Sequence, residues 1–215
     1  MVPKRPDGGN AVINTLRKGK VFEPDTIEFV IKNSKKQSII TAGAYIGDFL
    51  PAFSPNFKMV YAFEAILKNY EYARQNIALN NLKNVNLTNI CLSNRNDDII
   101  MREYGGRSAV KGIRPEIDVR RPEVVVKSTT LDAHMSGITD PISIIQLDTE
   151  GHEDSILEGS TEIIRKNLPI IITERKPAKC YNKYLQNMNY IYHDNKLHDN
   201  YVLYIKNIHN LYLTS

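Results

Sequence analysis

An apolar run, Ser38-Ile39-Ile40-Thr41-Ala42, breaks into the turn Gly43-Ala44-Tyr45-Ile46-Gly47-Asp48. A second apolar run, Val60-Tyr61-Ala62-Phe63, then ends in Glu64. Gly43 and Gly47 let the backbone turn tightly and come close to a ligand that a Cβ would obstruct. An acidic residue closing the next strand is placed to accept hydrogen bonds from both hydroxyls of a ribose. A βαβ unit holds a nucleoside-containing cofactor in this way, at the carboxyl edge of its sheet. Seventeen residues separate Gly47 from Glu64, near the roughly 20 of the dinucleotide fingerprint. The alternative is an ordinary strand-turn-helix that happens to end in a glutamate, and these two segments alone do not exclude it.

The glycine pattern is G-x-x-x-G and lacks the third glycine of G-x-G-x-x-G, so a pyrophosphate cradle is not spelled out. That counts against NAD or FAD and favours a cofactor with a ribose but no phosphate, a description that S-adenosylmethionine (SAM) meets. A nicotinamide oxidoreductase would share the fold but needs the phosphate-binding turn that is missing.

The remaining chain supports one α/β domain. At 215 residues it can bury roughly 70% of its extended surface in a single core. A net charge of +4 tolerates an anionic substrate without pointing to nucleic acid. Cys91 and Cys180 form no metal-binding spacing and read as reduced, buried thiols. No run approaches the ~20 apolar residues of a membrane span, and the first residues lack the apolar core of a signal peptide. A cytoplasmic protein without a membrane span is the expectation.

Residues 1 to 37 read as an N-terminal arm, without clear period to about residue 20, followed by a helix starting at Glu23-Pro24-Asp25. Residues 38 to 215 read as one catalytic domain. Strands are expected at Ser38–Ala42, Met59–Glu64, Asn84–Ile90, Ile142–Leu147 and Leu168–Glu174. Helices are expected at Asp48–Ala52, at Lys68–Asn80 with Tyr72, Asn76 and Leu79 inward, and at Asp154–Arg165. This alternation predicts a doubly wound, mostly parallel α/β sheet. A helix over Cys180–Met188 and two strands, Asn189–His193 and Tyr201–Lys206, joined at Asp194-Asn195-Lys196, predict a C-terminal antiparallel hairpin at one sheet edge. Asn94 to Lys127, with Gly105-Gly106 and the basic Arg107, Lys111, Arg114, Arg120 and Arg121, reads as a long irregular insertion, either a functional loop or a mobile one.

Ile142–Leu147 runs into Asp148-Thr149-Glu150-Gly151-His152-Glu153. Ligands of open α/β sheets sit beyond the carboxyl ends of the strands, so Asp148, Glu150 and Glu174 arrive at the edge that carries Gly43 and Glu64. Repulsion among such carboxylates must be relieved by a cation, a proton or a donor-rich substrate. Capping of the following helix is the competing explanation for Asp148, Glu150 and His152.

Four blocks together resemble the FkbM family of SAM-dependent methyltransferases. They are Ala42 to Asp48, Val60 to Glu64, Asn80 to Asn94, and Thr130-Leu131-Asp132 through Leu147-Asp148-Thr149-Glu150-Gly151-His152-Glu153 to Leu157-Glu158-Gly159-Ser160. Leu-Asp-x-Glu-Gly followed by Leu-x-Gly is the most family-specific of these. The chain departs from the pattern at Thr41 (aspartate is usual), Tyr45 (asparagine), Ala65 (proline) and Gln146 (lysine). The resemblance implies a Rossmann-like class I methyltransferase fold. It also implies that Gly43, Ala44 and Gly47 line the methionine part of SAM, that Glu64 holds the ribose, and that Leu92 and Ser93 flank the adenine. Thr41, Tyr45, Asp48, Ala65 and Asp148 are the other implied cofactor contacts. Glu64→Ala is expected to remove cofactor binding and leave the fold intact.

The family mostly methylates hydroxyls, which implies O-methylation of a sugar, a glycan or another small molecule. A hydroxyl acceptor must lose its proton, and Asp148, Glu150 and His152 are the candidate bases. The alternative is a divalent cation, Mg²⁺ by its oxygen ligands, held by Asp148 and Glu174 and lowering the pKa of the hydroxyl. The basic insertion suits a phosphorylated or nucleotide-linked sugar, and a solvated loop is the equal alternative. Nucleic-acid methylation is argued against, since neither an Asn/Asp-Pro-Pro-Tyr motif nor a Pro-Cys nucleophile is present. A non-catalytic SAM-binding or interaction module on the same fold is the competing reading.

Overall fold

The computed structural model describes residues 11–113, 121–193 and 197–211. The elements in chain order are helices α1 (Ala11–Arg17) and α2 (Pro24–Lys32), strand β1 (Ser38–Ala42), helix α3 (Leu50–Phe53) and strand β2 (Val60–Phe63). Helix α4 (Leu67–Leu79) follows, then strands β3 (Val85–Thr88), β4 (Cys91–Leu92), β5 (Asp98–Arg102), β6 (Ala109–Val110) and β7 (Glu123–Thr129). After these come α5 (Leu131–His134), β8 (Ile142–Leu147), α6 (Glu153–Glu158), α7 (Thr161–Asn167), β9 (Ile170–Thr173), α8 (Ala178–Cys180), β10 (Ile191–Tyr192) and β11 (Tyr201–Tyr204). No helix among the described residues is long and apolar enough to cross a membrane.

Seven of these strands form the main sheet in the order β10-β11-β9-β8-β1-β2-β3. Pairing is parallel from β9 through β3, and β11 runs antiparallel to both β9 and β10. Successive residues of the central strands enter opposite cores. Ile40, Tyr61, Ile145 and Ile171 pack with Leu131, Ile156 and Leu157 on one face. Ile39, Val60, Ile144 and Ile170 pack with Phe29, Val30, Leu50 and Phe53 on the other. Burial on both faces is why these strands read as continuous apolar runs. The chain moves outward from β1 to β3 on one side and from β8 to β9 on the other. The β1/β8 junction is therefore the topological switch point, where ligands of such sheets bind.

Several expectations need correction. Residues 11–17 are helical, with Ile13 fully buried, where the sequence suggests a loose arm. The irregular insertion is largely a second sheet, β4-β7-β5-β6, with β5 and β7 antiparallel over five residue pairs from Asp98↔Lys127 to Arg102↔Glu123. Helix α4 turns Asn69, Ala73 and Asn76 inward, while Leu79 is 68% exposed. The single helix expected over residues 154–165 is two, α6 and α7, broken at Gly159-Ser160. The turn Asp194-Asn195-Lys196, together with Arg114 and Arg120, lies outside the described residues.

Candidate active site

The turn after β1 combines three left-handed residues, Gly43 (φ 83°), Tyr45 (φ 47°) and Gly47 (φ 77°). Gly43 N–H and Ala44 N–H both donate to the Phe63 carbonyl at 3.0 Å, and Asp148 N–H donates to the Ala42 carbonyl at 3.0 Å. The backbones after β1 and β8 come so close that a Cβ on Gly43 would lie 1.8 Å from the Asp148 carbonyl oxygen. Only glycine fits there. Asn76 reaches from α4 to hold the turn, its Nδ2 donating to the Ile46 carbonyl at 2.7 Å.

Beyond the carboxyl ends of β1, β2 and β8 opens a cleft of about 1020 Å³, including the part open to solvent. Thr41, Gly43, Ala44, Tyr45, Asp48, Glu64, Ala65, Leu92, Asp148, Glu150 and His152 all line it. The other expected contacts do not. Gly47 sits beneath the turn, where an added Cβ would be 3.2 Å from the Cα of Ala73 in α4. Ser93 is buried behind His152, with its Oγ 3.0 Å from Nε2 of that ring. Glu174 stands outside the lining but near enough for its charge to act on Asp148. The cleft also takes walls that the sequence reading missed: Asn69, the Gly105–Ser108 turn of the second sheet, and Val12 and Phe22 from the N-terminal segment. Gly105-Gly106 inside a flagged insertion was the available signal for the second of these; an isolated Val12 or Phe22 offered none.

Glu64 holds the site together. Its Oε2 accepts from Tyr45 N–H at 2.8 Å, and its Oε1 accepts from Ile66 N–H at 2.9 Å and from Asn69 Nδ2 at 3.4 Å. The carboxylate thus ties the glycine turn to the start of α4. Burial nevertheless pushes its pKa up to about 7, against the lowering effect of these bonds. Glu64→Ala is therefore expected to lower stability as well as cofactor affinity. Removing the carboxylate leaves two backbone donors without this acceptor, and each unsatisfied buried group costs about 1–3 kcal/mol.

Acid groups dominate the other wall. The Asp148 side chain is exposed to solvent in the cleft, so the desolvation that its protein surroundings impose on it is partial. That desolvation, with the negative charges of Glu174, Glu23, Glu153 and Asp48, raises its pKa well above the usual carboxylate range. Burial brings Asp48 to about 6. Burial also lowers His152 to about 4, so that its imidazole is neutral near pH 7. The segment between Asp148 and His152 is shaped by Glu153. Its Oε1 accepts from Thr149 N–H at 3.1 Å, Thr149 Oγ1 at 3.2 Å and Gly151 N–H at 3.3 Å. This grip holds Glu150 (φ 54°) and Gly151 (φ 101°) in left-handed conformations. Among the described residues, no group of three or more His, Cys, Asp or Glu side chains is arranged to hold a metal ion, so the Asp148–Glu174 magnesium site finds no support.

The residues fit SAM. The Gly43 approach leaves room for backbone contact, and Glu64 presents a desolvated acceptor to hydroxyl donors. The acidic wall suits a cationic ligand, because a positive charge relieves the repulsion that raises these pKa values.

The comparisons agree with this geometry. The model of the methyltransferase FkbM domain matches residues 41–207. A crystal structure of methyltransferase FkbM from Methylobacillus flagellatus superposes with a TM-score of 0.54 at 14% identity, over 79% of this chain and 43% of that one. This chain therefore spans less than half of that protein's length. A Streptococcus mutans protein assigned as a methyltransferase, in complex with S-adenosylhomocysteine (SAH), superposes with a TM-score of 0.50 at 12% identity, over 83% of this chain and 93% of its own. A Clostridium thermocellum protein assigned as an rRNA methylase gives 0.51 at 8% identity, over 88% and 93%. No curated protein sequence matches the chain significantly. At these identities the superpositions show the class I methyltransferase fold, while the domain match covers most of the sequence: the chain belongs to the FkbM family of SAM-dependent methyltransferases.

Proposed function

We propose that the protein is a SAM-dependent O-methyltransferase acting on a hydroxyl of a sugar, a glycan or another small molecule. The observation that supports this most is Asp148, a carboxylate of raised basicity facing the same cleft as the ribose-type acceptor Glu64. When bound, SAM supplies an electrophilic methyl group on a sulfonium centre. Glu64 accepts hydrogen bonds from the ribose hydroxyls, the Gly43–Gly47 turn admits the methionine part, and Leu92 borders the adenine. Walls from the second sheet and the N-terminal segment narrow the cleft, which aligns an acceptor and restricts water. The acceptor hydroxyl gives its proton to the Asp148 carboxylate as it becomes nucleophilic. A carboxylate with raised pKa performs this better than an ordinary one. His152 is neutral but engaged with Ser93 through Nε2, which places Asp148 ahead of it as the base.

Calorimetric titration with SAH tests the cofactor, and turnover of SAM over a panel of hydroxyl acceptors tests the reaction. Micromolar SAH binding is expected in the unaltered chain. Asp148→Asn should keep that binding and lose about 100-fold or more in turnover. At saturating SAM, kcat/KM for the acceptor should rise with pH through a limb above the usual carboxylate range. A limb near pH 4 would transfer the role to His152. Absence of SAH binding at about 100 μM protein, or full turnover in Asp148→Asn, overturns the proposal.

A further inference from the structure

Strands β5 to β7 are rich in cations, and most are neutralised in place. Arg95 pairs with Asp97 at 3.3 Å, Arg102 with Glu123 at 2.7 Å, Lys111 with Glu123 at 3.1 Å and Lys127 with Asp98 at 2.7 Å. Glu103, the other acid among the described residues of this region, lines a separate depression with Val124 and Val126. Two arginines are treated differently. The Arg121 guanidinium carbon lies 4.0 Å from the centroid of the Tyr104 ring and that of Arg107 lies 5.7 Å from the same centroid. Among the described residues neither has a carboxylate partner. Arg121 Nε is moreover shielded from solvent without a hydrogen-bond acceptor among those residues.

Like charges gathered on one ring repel. The Arg121 Nε–H, shielded from solvent, is closed to a ligand as well, so the donors left for one are the outer nitrogens of the two guanidinium groups. Stacking on an aromatic face also fixes the guanidinium while leaving donors at its edge, the arrangement that receives a phosphate bidentately. Tyr104, Arg107 and Arg121 stand beside the cleft and not in its lining. Tyr104 and Arg107 belong to the turn whose Gly105, Gly106 and Ser108 line the cleft. Ser108 Oγ accepts from Tyr104 N–H at 2.8 Å, and Asn69 Nδ2 donates to the Gly105 carbonyl at 3.2 Å, tying the turn to the Glu64 network.

We propose that Arg107 and Arg121, assembled on Tyr104 at the edge of the cleft, form a subsite for a phosphate or diphosphate group carried by a small-molecule acceptor. Assigning that group to the methyl acceptor rests on the methyltransferase reading above; the anion subsite itself does not.

The test is calorimetric titration of the full chain, saturated with SAH, using inorganic pyrophosphate as the probe. Binding that weakens with salt is expected, with a loss of about tenfold in Arg107→Ala and in Arg121→Ala, and more in the double variant. Arg121→Lys keeps the charge but not the planar fork, and should recover only part of the loss; it also serves if the double variant does not fold. SAH affinity should be the same in all of them. No pyrophosphate binding at millimolar concentrations, or equal affinity in the unaltered chain and the folded variants, overturns the subsite. Single-stranded RNA bound more tightly than pyrophosphate, and lost in the double variant, overturns the small-molecule assignment. Pyrophosphate binding that depends on both arginines in a chain that fails to bind SAH removes the methyltransferase reading and leaves the subsite standing.

Discussion

Thr41 and Gln146 stand where the family pattern carries an aspartate and a lysine, and the structure makes them partners in register between β1 and β8. Thr41 Oγ1 donates to Gln146 Oε1 at 3.2 Å, and both side chains are buried. Two departures that look independent in sequence are thus neighbours in the structure, joined as a neutral hydrogen-bonded pair. A buried ion pair is of little net benefit over a well-fitted neutral pair, but half of one is costly. Thr41→Asp alone should therefore lower stability by about 3 kcal/mol, since the new carboxylate meets an amide rather than a cation. Adding Gln146→Lys should restore most of that. Urea unfolding of the three proteins checks this. A single variant as stable as the parent, or a double variant no better than the single, would show that the two positions are not coupled.

The helices after β8 carry a constraint of a different kind. Gly159 lies between α6 and α7 with an ordinary negative φ, so its backbone suits any residue. Space forbids one: an added Cβ would lie 2.1 Å from the Ser93 carbonyl oxygen. Gly159→Ala should consequently cost about 3 kcal/mol or more by overpacking against backbone that cannot yield. It should also displace Ser93, the partner of His152. Gly137, whose added Cβ meets nothing within 4 Å, is the control, and Gly137→Ala should show only the modest cost of its left-handed φ. Thermal melts of both variants decide the matter, and equal losses would refute the steric argument. This junction also shows how far the sequence is legible. Ile156, Leu157, Ile163 and Ile164 recur at helical spacing, so the period runs through the break without marking it. The main sheet was legible because its strands are apolar on both faces. The second sheet was not, because Val124, Val125 and Val126 are set among charges and pair with β5 across a long span of chain. At the site, Glu64 and Asp148 were legible as carboxylates closing strands. Glu64's role as acceptor for the Tyr45 and Ile66 amides was not, since backbone donors leave no trace in residue identity.

Over the whole molecule, the acidic cleft sets a cost that depends on pH. A carboxyl whose folded pKa lies above its unfolded value binds its proton more tightly in the folded state. For Glu64, raised from 4.5 to about 7, the resulting stability is complete below 4.5 and is lost as pH rises through about 7. The same sign holds for Asp48, raised to about 6, and for Asp148. Glu64 alone accounts for about 3 kcal/mol. His152 acts in the opposite sense. Its pKa falls from 6.5 to about 4 on folding, so its contribution is complete above 6.5 and is lost as pH falls towards 4. Between about pH 4.5 and 6.5 the gain at His152 offsets the loss at only one of the three carboxyls, so the stability of the ligand-free protein already declines across that range and goes on declining between pH 6 and 8. Melting temperatures across pH 5 to 9 should show that decline; a curve that is flat or rises over this interval would mean that the carboxylates are not desolvated as the structure has them. Ribose hydroxyls donate more strongly to Glu64 when that side chain is ionised, so SAH should raise the melting temperature more at pH 8 than at pH 6. The carboxylates that weaken the empty fold at pH 8 are then the groups whose charge the ligand uses, and the difference between the two pH values measures how much of the fold's stability is given up to keep the cleft ready.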